Sequence, residues 1–149
     1  MPPTIRNTFE DGELPALYKI ERECFDPEFR WSEPMFVKAL QAAREQSHVW
    51  IAMVSGRIAG YLLAGDENGK VLIETANVAR AHRRKGIATK LIAACERDMR
   101  KRGYTEVKLE VWTENPAMIL YFNLGYRVCG FKKDYYRPHT HAVSMIKKL

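Results

Sequence analysis

Residues 77–92 read NVARAHRRKGIATKLI and decide how the rest of the chain is organised. Apolar residues before this stretch are typical of a buried strand, whereas those after Gly86 recur at the spacing of an amphipathic helix. A basic turn that ends in Gly86 separates the two elements. Because a helix dipole adds about half a positive charge at the start of a helix, where N–H groups are free, the turn predicts a phosphate or pyrophosphate site.

The spacing Arg83-x-x-Gly86-x-Ala88 resembles the acyl-coenzyme A pyrophosphate loop of the GNAT superfamily of N-acetyltransferases. The resemblance implies acetyl-CoA as the acetyl donor, bound by the strand end, the turn and the start of the helix. The implied residues are Asn77, Val78, Ala79, Arg83, Arg84, Lys85, Gly86, Ile87, Ala88 and Thr89. The nucleotide-binding patterns G-x-x-x-x-G-K-S/T and G-x-G-x-x-G are absent. Taken alone, the stretch also fits an ordinary helix start without a ligand.

Composition favours an ordinary globular protein, with 149 residues, 46% hydrophobic and 28% charged. This length predicts one domain over residues 1–149. No apolar run reaches the roughly 18 residues of a membrane span, and the first residues lack the apolar segment of a signal peptide, so we expect a cytoplasmic protein. The scattered Cys24, Cys95 and Cys129 favour reduced thiols, and no metal site is predicted.

The formal net charge of +6 predicts attraction to polyanions, which include nucleic acid, the ribosome and phosphorylated cofactors. Most basic residues are spread along the chain, but Arg80, Arg83, Arg84 and Lys85 lie together at the predicted helix start. A local cluster of this kind favours a discrete phosphate ligand over a long nucleic-acid track.

Hydrophobic periodicity and turn residues predict a strand, two helices, three antiparallel strands, a helix, a parallel strand, a short helix and two final strands. This order predicts an α/β (α+β) fold with a mixed, mostly antiparallel sheet of about seven strands and about four helices on both faces. The predicted strands cover residues 5–9, 49–54, 57–64, 70–79, 107–111, 126–131 and 141–146, and the two first helices cover 13–24 and 33–44. Residues 134–138 are predicted to form a loop.

The same order of elements is that of the GNAT fold, and further motifs match it. Residues 121–126, YFNLGY, resemble the Tyr-x-x-Leu-Gly-Phe segment of the family, and Asn115 lies where members hold the pantetheine arm. Residues 25–36, 109–111 and 134–136 are similar to enzymes that acetylate protein N-termini, above all the ribosomal-protein alanine N-acetyltransferases. Asn115 and Tyr121 are one residue closer together here than in those enzymes.

This resemblance implies roles for several side chains in acetyl transfer. Glu110 coincides with the general base of the ribosomal-alanine enzymes, and Tyr121 would protonate the departing thiolate. Glu74 is the alternative base, because a carboxylate in a central strand needs a reason. The acceptor would be held by Phe29 and Trp31 on one side and by Tyr135 and Tyr136 on the other. Each of these residues also has a purely structural interpretation. The glutamates would lie on the polar face of a strand, and the aromatic residues would pack in the core.

We expect the acceptor to be the N-terminal α-amine of a protein, and ribosomal proteins are among the candidates. At pH 7, neutralising an α-amine costs about 1 kcal/mol, whereas neutralising a lysine costs about 4.6 kcal/mol. A single carboxylate is therefore better suited to an N-terminus. The alternatives are a small-amine or lysine acetyltransferase and a non-catalytic basic RNA- or ribosome-binding module; the sequence predicts no membrane contact and no particular oligomeric state.

Overall fold

The computed structural model describes residues 2–149. Its helices are α1 (Leu14–Cys24), α2 (Glu33–Glu45), α3 (Ile87–Lys101) and α4 (Ala117–Asn123). Its strands are β1 (Thr4–Arg6), β2 (Val49–Val54), β3 (Arg57–Glu67), β4 (Lys70–Val78), β5 (Glu106–Trp112), β6 (Arg127–Arg137) and β7 (Thr140–Lys148). Two short 3₁₀ turns, Asp11–Glu13 and Arg80–His82, precede α1 and α3.

The seven strands form one sheet in the order β1-β2-β3-β4-β5-β7-β6. Neighbouring strands are antiparallel except β4 and β5, which run parallel and are joined through α3. A parallel pair requires such a crossover, because a tight turn can only reverse the chain. The predicted mixed, mostly antiparallel sheet with helices on both faces is therefore confirmed.

Side-chain alternation along the strands divides the core into two clusters, one on each face of the sheet. Leu91, Cys95 and Met99 place α3 on the face that also holds Val107 and Leu109 of β5. The opposite face is covered by α1 and α2, whose fully buried residues include Leu17, Phe36 and Leu40. Even-numbered residues of β5 therefore point toward the side of α1 and α2, and Glu110 is one of them.

Local sequence signals account for the connections around this sheet. Ser55 and Gly56 have φ values of 50° and 78°, and Asn68 and Gly69 have values of 54° and 82°. Two successive residues with positive φ make the tight turn that joins twisted antiparallel strands, so both predicted hairpins form. Ser32 accepts a hydrogen bond from the Met35 N–H and caps α2.

Two predicted boundaries are wrong. The segment 134–138 was expected to be a loop, but residues up to Arg137 belong to β6, which pairs with β7 and turns only at His139, where φ is 63°. The first strand ends at Arg6 rather than at Phe9, because Phe9 leaves the sheet edge and is buried among the residues of α1 and α2. Among residues 2–149, no helix combines the length and apolarity needed to cross a membrane.

Candidate active site

The parallel strands β4 and β5 are paired only at their beginnings. Their ladder contains the pairs Val71↔Val107, Leu72↔Lys108 and Ile73↔Leu109. Beyond these pairs β4 continues to Val78 and β5 to Trp112 without pairing to each other. We call the space between these strand ends the β4–β5 gap.

Backbone groups of β4 face this gap. The Ala79 N–H donates to the Ala59 carbonyl at 2.7 Å, so the peptide groups of Asn77, two residues earlier, also face β3. The alternating pattern turns the N–H groups of Ala76 and Val78 toward the gap. These N–H groups can donate to a carbonyl oxygen that is bound in the gap.

Backbone groups of β5 face the gap from the other side. The Thr113 N–H donates to the His141 carbonyl at 3.1 Å, which assigns odd-numbered residues of β5 to the ladder with β7. The peptide groups of Glu110 and Trp112 are therefore directed toward β4. An extended ligand with amide groups can bind between the two strand ends in the manner of an added strand.

The start of α3 forms a cleft of about 320 Å³ next to the gap. Gly86, with φ 74°, precedes the first helical residue and provides no side-chain cap, and the first helical hydrogen bond runs from the Lys90 N–H to its carbonyl. The N–H groups of Ile87, Ala88 and Thr89 therefore have no partner within the helix. The cleft is lined by Val78, His82, Arg83, Arg84, Gly86, Ile87, Ala88, Thr89 and Leu120.

Two residues of the predicted cofactor set direct their side chains elsewhere. Asn77 is buried on the α1 face, where its amide donates to Tyr61 Oη and Thr75 Oγ1, both at 2.8 Å. The Arg83 guanidinium folds back, because its Nε donates to the Val78 carbonyl at 3.2 Å and its Nη2 lies 3.3 Å from Cys24 Sγ. A pyrophosphate role for these two residues would therefore involve the backbone or a rearranged side chain.

His82 also lines the cleft, although the sequence did not single it out. Its Nδ1 is buried and has no hydrogen-bond partner among the described residues. Free helical N–H groups, an unpartnered imidazole nitrogen and the exposed Arg84 surround one cleft. This combination fits a phosphate-bearing ligand, since such a ligand satisfies all three kinds of donor.

The helix α4 borders the opposite side of the cleft through Leu120. Asn115 Oδ1 accepts a hydrogen bond from the Ala117 N–H at 2.9 Å, at the start of this helix. The side-chain oxygen of Asn115 is therefore already engaged. Tyr121 packs edge-on against Tyr126, with ring centroids 6.2 Å apart, and its hydroxyl forms no hydrogen bond within residues 2–149. Burial raises the pKa of Tyr121, so its phenol stays protonated at neutral pH.

Glu110 is held between three elements on the α1 side of the sheet. Ser144 of β7 donates its hydroxyl to Glu110 Oε2, while Lys132 Nζ of β6 lies 2.9 Å from Oε1 and Lys108 Nζ lies 3.8 Å from it. The Glu110 side chain is only 7% exposed. The carboxylate is therefore fixed at the gap in an ion pair, and the same contact raises the pKa of Lys132.

Glu74, the alternative base, has a different environment. The register of β3 and β4 shifts between Leu63 and Ala64, which leaves Glu74 as an extra, bulged residue. Its carboxylate lies beside Gly65, where an added Cβ would approach Oε1 to 2.9 Å, and it has no ion-pair or hydrogen-bond partner among the described residues. Desolvation raises the pKa of Glu74 although part of the side chain is exposed.

Tyr136 connects the acceptor residues to the proposed catalytic pair. Burial, together with the nearby Tyr135, Glu110 and Tyr121, raises the pKa of its hydroxyl to about 12. Its ring lies 4.9 Å from that of Tyr135 and 6.0 Å from that of Phe29. The structure thus brings Glu110, Tyr121, Tyr136 and Phe29 into one region, although they are far apart in sequence.

The two predicted acceptor walls touch each other. Phe29 also packs on Trp112 of β5, at 5.8 Å between ring centroids, and the Arg137 guanidinium lies 4.8 Å from the Phe29 ring while pairing with Glu28. Trp31 is placed differently, since it packs against Phe36 and joins the core under α2. Its ring is partly buried, and contact of Trp31 with the acceptor stays a prediction.

Residues 14–126 match the Acetyltransferase (GNAT) family. The chain belongs to this family. The members of the GNAT family use acetyl-CoA as the acetyl donor, and the reaction class of this chain is therefore acetyl-CoA-dependent N-acetyl transfer. This assignment favours the enzyme over the non-catalytic RNA- or ribosome-binding module that the net charge left open.

An uncharacterized N-acetyltransferase of Methanocaldococcus jannaschii is 28% identical over 144 residues, which cover 94% of this chain and 88% of the relative. The same fold occurs in the ribosomal-protein-S18-alanine N-acetyltransferase of Escherichia coli, with a TM-score of 0.83, 24% identity and coverage of 99% of this chain and 94% of that one. It also occurs in yncA from Salmonella typhimurium, solved with its cofactor acetyl-CoA, with a TM-score of 0.82, 19% identity and coverage of 100% and 95%.

For this GNAT protein, the cleft at α3 and the β4–β5 gap together fit acetyl-CoA. The N–H groups at the start of α3 match a pyrophosphate, and the unpaired backbone of β4 and β5 matches an extended amide chain. A second concavity, about 450 Å³, lies at the ends of β6 and β7 beside Lys147 and Lys148 and contains none of the predicted site residues.

Several neighbours of the site were not found by sequence analysis. Ser144 and Lys132 contact Glu110, and Trp112 contacts Phe29. These contacts depend on the register between β5, β7 and β6, which no local pattern specifies. A usable signal existed only for Lys132, because basic residues of a strand beside a buried carboxylate are natural ion-pair partners.

Proposed function

We propose that this enzyme acetylates the N-terminal α-amine of a protein or peptide, in the manner of the ribosomal-protein-alanine type. The observation that carries the proposal is the contact between the two acceptor walls, in which Phe29 meets Tyr136 and Glu28 pairs with Arg137. An acceptor site covered by this contact would admit a flexible chain end more easily than a lysine on a folded surface.

The chain's own residues supply what the transfer requires. Bound acetyl-CoA supplies the thioester carbonyl that the amine attacks. The N–H groups of Ala76 and Val78 face the gap and are available to hold a carbonyl oxygen as negative charge develops there. Glu110 accepts the proton of the amine through water, and Tyr121 donates a proton to the leaving sulfur.

We propose direct transfer, without an acetylated enzyme. Cys24 is the cysteine nearest to the cleft, since its Sγ lies 3.5 Å from the Val78 carbonyl. Burial raises the pKa of the Cys24 thiol, which disfavours the thiolate that nucleophilic attack would need. Cys95 is fully buried in the core, where burial raises its pKa as well.

The acceptor preference also has an energetic basis. Because neutralising an α-amine at pH 7 costs about 3.6 kcal/mol less than neutralising a lysine, one carboxylate suffices for the first and is poorly matched to the second. Glu74 has no partner of its own and is not required for this step. The identity of the first acceptor residue is a question for substrate profiling.

The proposal is tested with acetyl-CoA and peptides whose N-termini are free or blocked, each carrying an internal lysine, with products located by mass spectrometry. We expect acetylation of the free α-amine and no product from the blocked peptide. The variant Tyr135→Ala/Tyr136→Ala should raise KM for peptide about tenfold and leave KM for acetyl-CoA nearly constant. Efficient acetylation of the blocked peptide, or of polyamines in preference to peptides, would contradict the proposed acceptor.

A further inference from the structure

Glu21 of α1 is a buried carboxylate that the proposed chemistry does not use. It is 3% exposed, and its two oxygens accept hydrogen bonds from different parts of the fold. Oε1 accepts from Tyr61 Oη of β3 at 2.7 Å, with the Asn77 amide at 3.5 Å, and Oε2 accepts from the Trp31 N–H at 3.1 Å. One carboxylate therefore joins α1, β3, β4 and the segment between α1 and α2.

The Trp31 side of this contact belongs to the acceptor wall. We call residues 25–32, between α1 and α2, the acceptor loop; it carries Phe29, which packs on Tyr136. The Trp31 carbonyl accepts a second hydrogen bond from Tyr18 Oη at 3.0 Å. Both peptide groups that flank Trp31 are thus tied to side chains of α1.

The other end of this hydrogen-bond network lies on β4, the strand next to the proposed cofactor site. Tyr61 and Asn77 are buried and hydrogen-bonded to each other at 2.8 Å, and Asn77 also reaches Thr75. Asn77 lies on β4 between Ala76 and Val78, whose N–H groups face the gap. Glu21 therefore connects the acceptor loop to β4, the strand proposed to hold the thioester.

Stability gives no reason for an ionised carboxylate at this position. Burial raises the pKa of Glu21, while the bonds from Tyr61 and Trp31 and the nearby Arg30 lower it without offsetting burial. A carboxyl with a raised pKa stabilises the fold below its unfolded-state pKa and loses that contribution as pH rises through the folded-state value. Glu21 therefore contributes less to stability at neutral pH than at acid pH, which fits a role other than stabilisation.

We propose that Glu21 is a positioning residue of the acceptor site, which holds the acceptor loop at a fixed place relative to β4 through the Trp31 N–H. The inference rests on the proposed peptide acceptor. Glu21 itself contacts neither substrate; its effect reaches the peptide through Phe29.

The variant Glu21→Gln tests the role while keeping the shape. Its single amide oxygen can accept from Tyr61 or from the Trp31 N–H, but not from both in the present geometry. We expect KM for a free N-terminal peptide to rise about tenfold, KM for acetyl-CoA to stay within about twofold, and the Trp31 amide to exchange hydrogen faster. The melting temperature at pH 8 should fall by a few degrees, because one buried donor loses its acceptor, so peptide KM and Trp31 exchange decide the role.

Glu96→Gln is the matched control. Glu96 of α3 is also a buried carboxylate, 8% exposed, that accepts a hydrogen bond from a buried tyrosine, Tyr126 Oη at 2.9 Å. It lies on the other face of the sheet, so its loss should leave KM for peptide unchanged even where stability falls. A lowered melting temperature with an unchanged peptide KM in Glu21→Gln would show a purely structural role and overturn the proposal.

A measurement on the wild-type enzyme covers the case in which Glu21→Gln does not fold. The binding of an N-acetylated product peptide, which has no α-amine to titrate, should weaken as pH falls and Glu21 becomes protonated. The groups that face Glu21 are Tyr61 and Asn77 from the sheet, Arg30 and Trp31 from the acceptor loop, and Cys24 from α1. Only Glu21 among them takes up a proton in the acid range.

The outcomes distinguish this inference from the proposed function. If wild type acetylates no peptide, the proposed acceptor fails, whatever the variants do. If wild type acetylates peptides and Glu21→Gln matches it in peptide KM and Trp31 exchange, the positioning role fails and the proposed function stands. Product binding that does not change with pH, in an enzyme active on peptides, would contradict the role as well.

Discussion

The two ends of the β4–β5 gap are built in different ways. At the α3 end, the groups proposed to bind the cofactor are backbone N–H donors of consecutive residues that follow Gly86. At the acceptor end, the groups are side chains from four separate segments: Phe29 before α2, Glu110 on β5, Tyr121 on α4 and Tyr136 on β6. The first end depends on local conformation, whereas the second depends on the packing of distant segments.

This difference predicts how each end of the gap responds to mutation. A backbone site has no single side chain to remove, so it is damaged by added bulk or charge at Gly86. A side-chain site loses one function with each substitution, and its effects separate into turnover and peptide affinity. Substitutions at the two ends therefore test the comparison directly.

The largest effect is expected from Gly86→Glu. An ordinary ligand at 100 times its Kd stabilises a protein by about 2.7 kcal/mol, so acetyl-CoA should raise the melting temperature of wild type. A carboxylate at the start of α3 repels pyrophosphate, so the Gly86→Glu variant should lose this response. The measurement is thermal unfolding with and without acetyl-CoA.

Gly86→Ala is the control for backbone strain. The φ of 74° strains any residue with a side chain, but an added Cβ would meet no atom within 4 Å. The alanine variant should therefore melt at a lower temperature and still respond to acetyl-CoA. An undiminished response in Gly86→Glu would remove the cofactor assignment for this end of the gap.

The α3 end was the more predictable of the two for a physical reason. The turn, the glycine and the amphipathic helix lie within residues 77–92, so local periodicity and charge were sufficient. The folded-back Arg83 and the inward Asn77 could not be foreseen, because their partners Cys24 and Tyr61 are distant in sequence. Residues 134–137 were misread as a loop, since β6 continues through them to Arg137, which pairs with Thr140 of β7.

At the acceptor end, the sequence indicated Glu110 but not what surrounds it. Alternation along β5 is equally compatible with an exposed glutamate, and only the register Glu110↔Ser144 shows a carboxylate held by a hydroxyl and by Lys132. Trp31 looked equivalent to Phe29 in sequence, yet it packs on Phe36 at the edge of the core under α2, whereas Phe29 packs on Tyr136.

Glu110→Gln should have the next largest effect. The amide keeps the shape but accepts no proton, so turnover should fall by roughly 10²-fold, with little change in KM for acetyl-CoA. Steady-state kinetics with a free N-terminal peptide measures both. Because Lys132 loses its anionic partner and Lys108 keeps only Glu67, the melting temperature should be recorded alongside.

Glu74→Gln is the matched control for Glu110→Gln, because Glu74 is the alternative base and lies on β4. It has no partner to lose and lies outside the ion pair, so turnover should stay within about threefold of wild type. Full activity in Glu110→Gln together with a large loss in Glu74→Gln would transfer the base role to the bulged residue of β4.

Of the two proposed catalytic residues, Tyr121→Phe should give the smaller effect, a loss of turnover of about tenfold with unchanged peptide KM. The phenylalanine ring preserves the packing on Tyr126, and the lost hydroxyl has no hydrogen bond within residues 2–149, so stability should not change. Since burial raises the pKa of Tyr121 above its ordinary value of about 10, the phenol stays protonated throughout pH 7–9. The ratio of wild-type to variant turnover should therefore be constant over that range. A ratio near one at every pH would show that another group, such as the neighbouring Tyr136 hydroxyl, protonates the leaving sulfur.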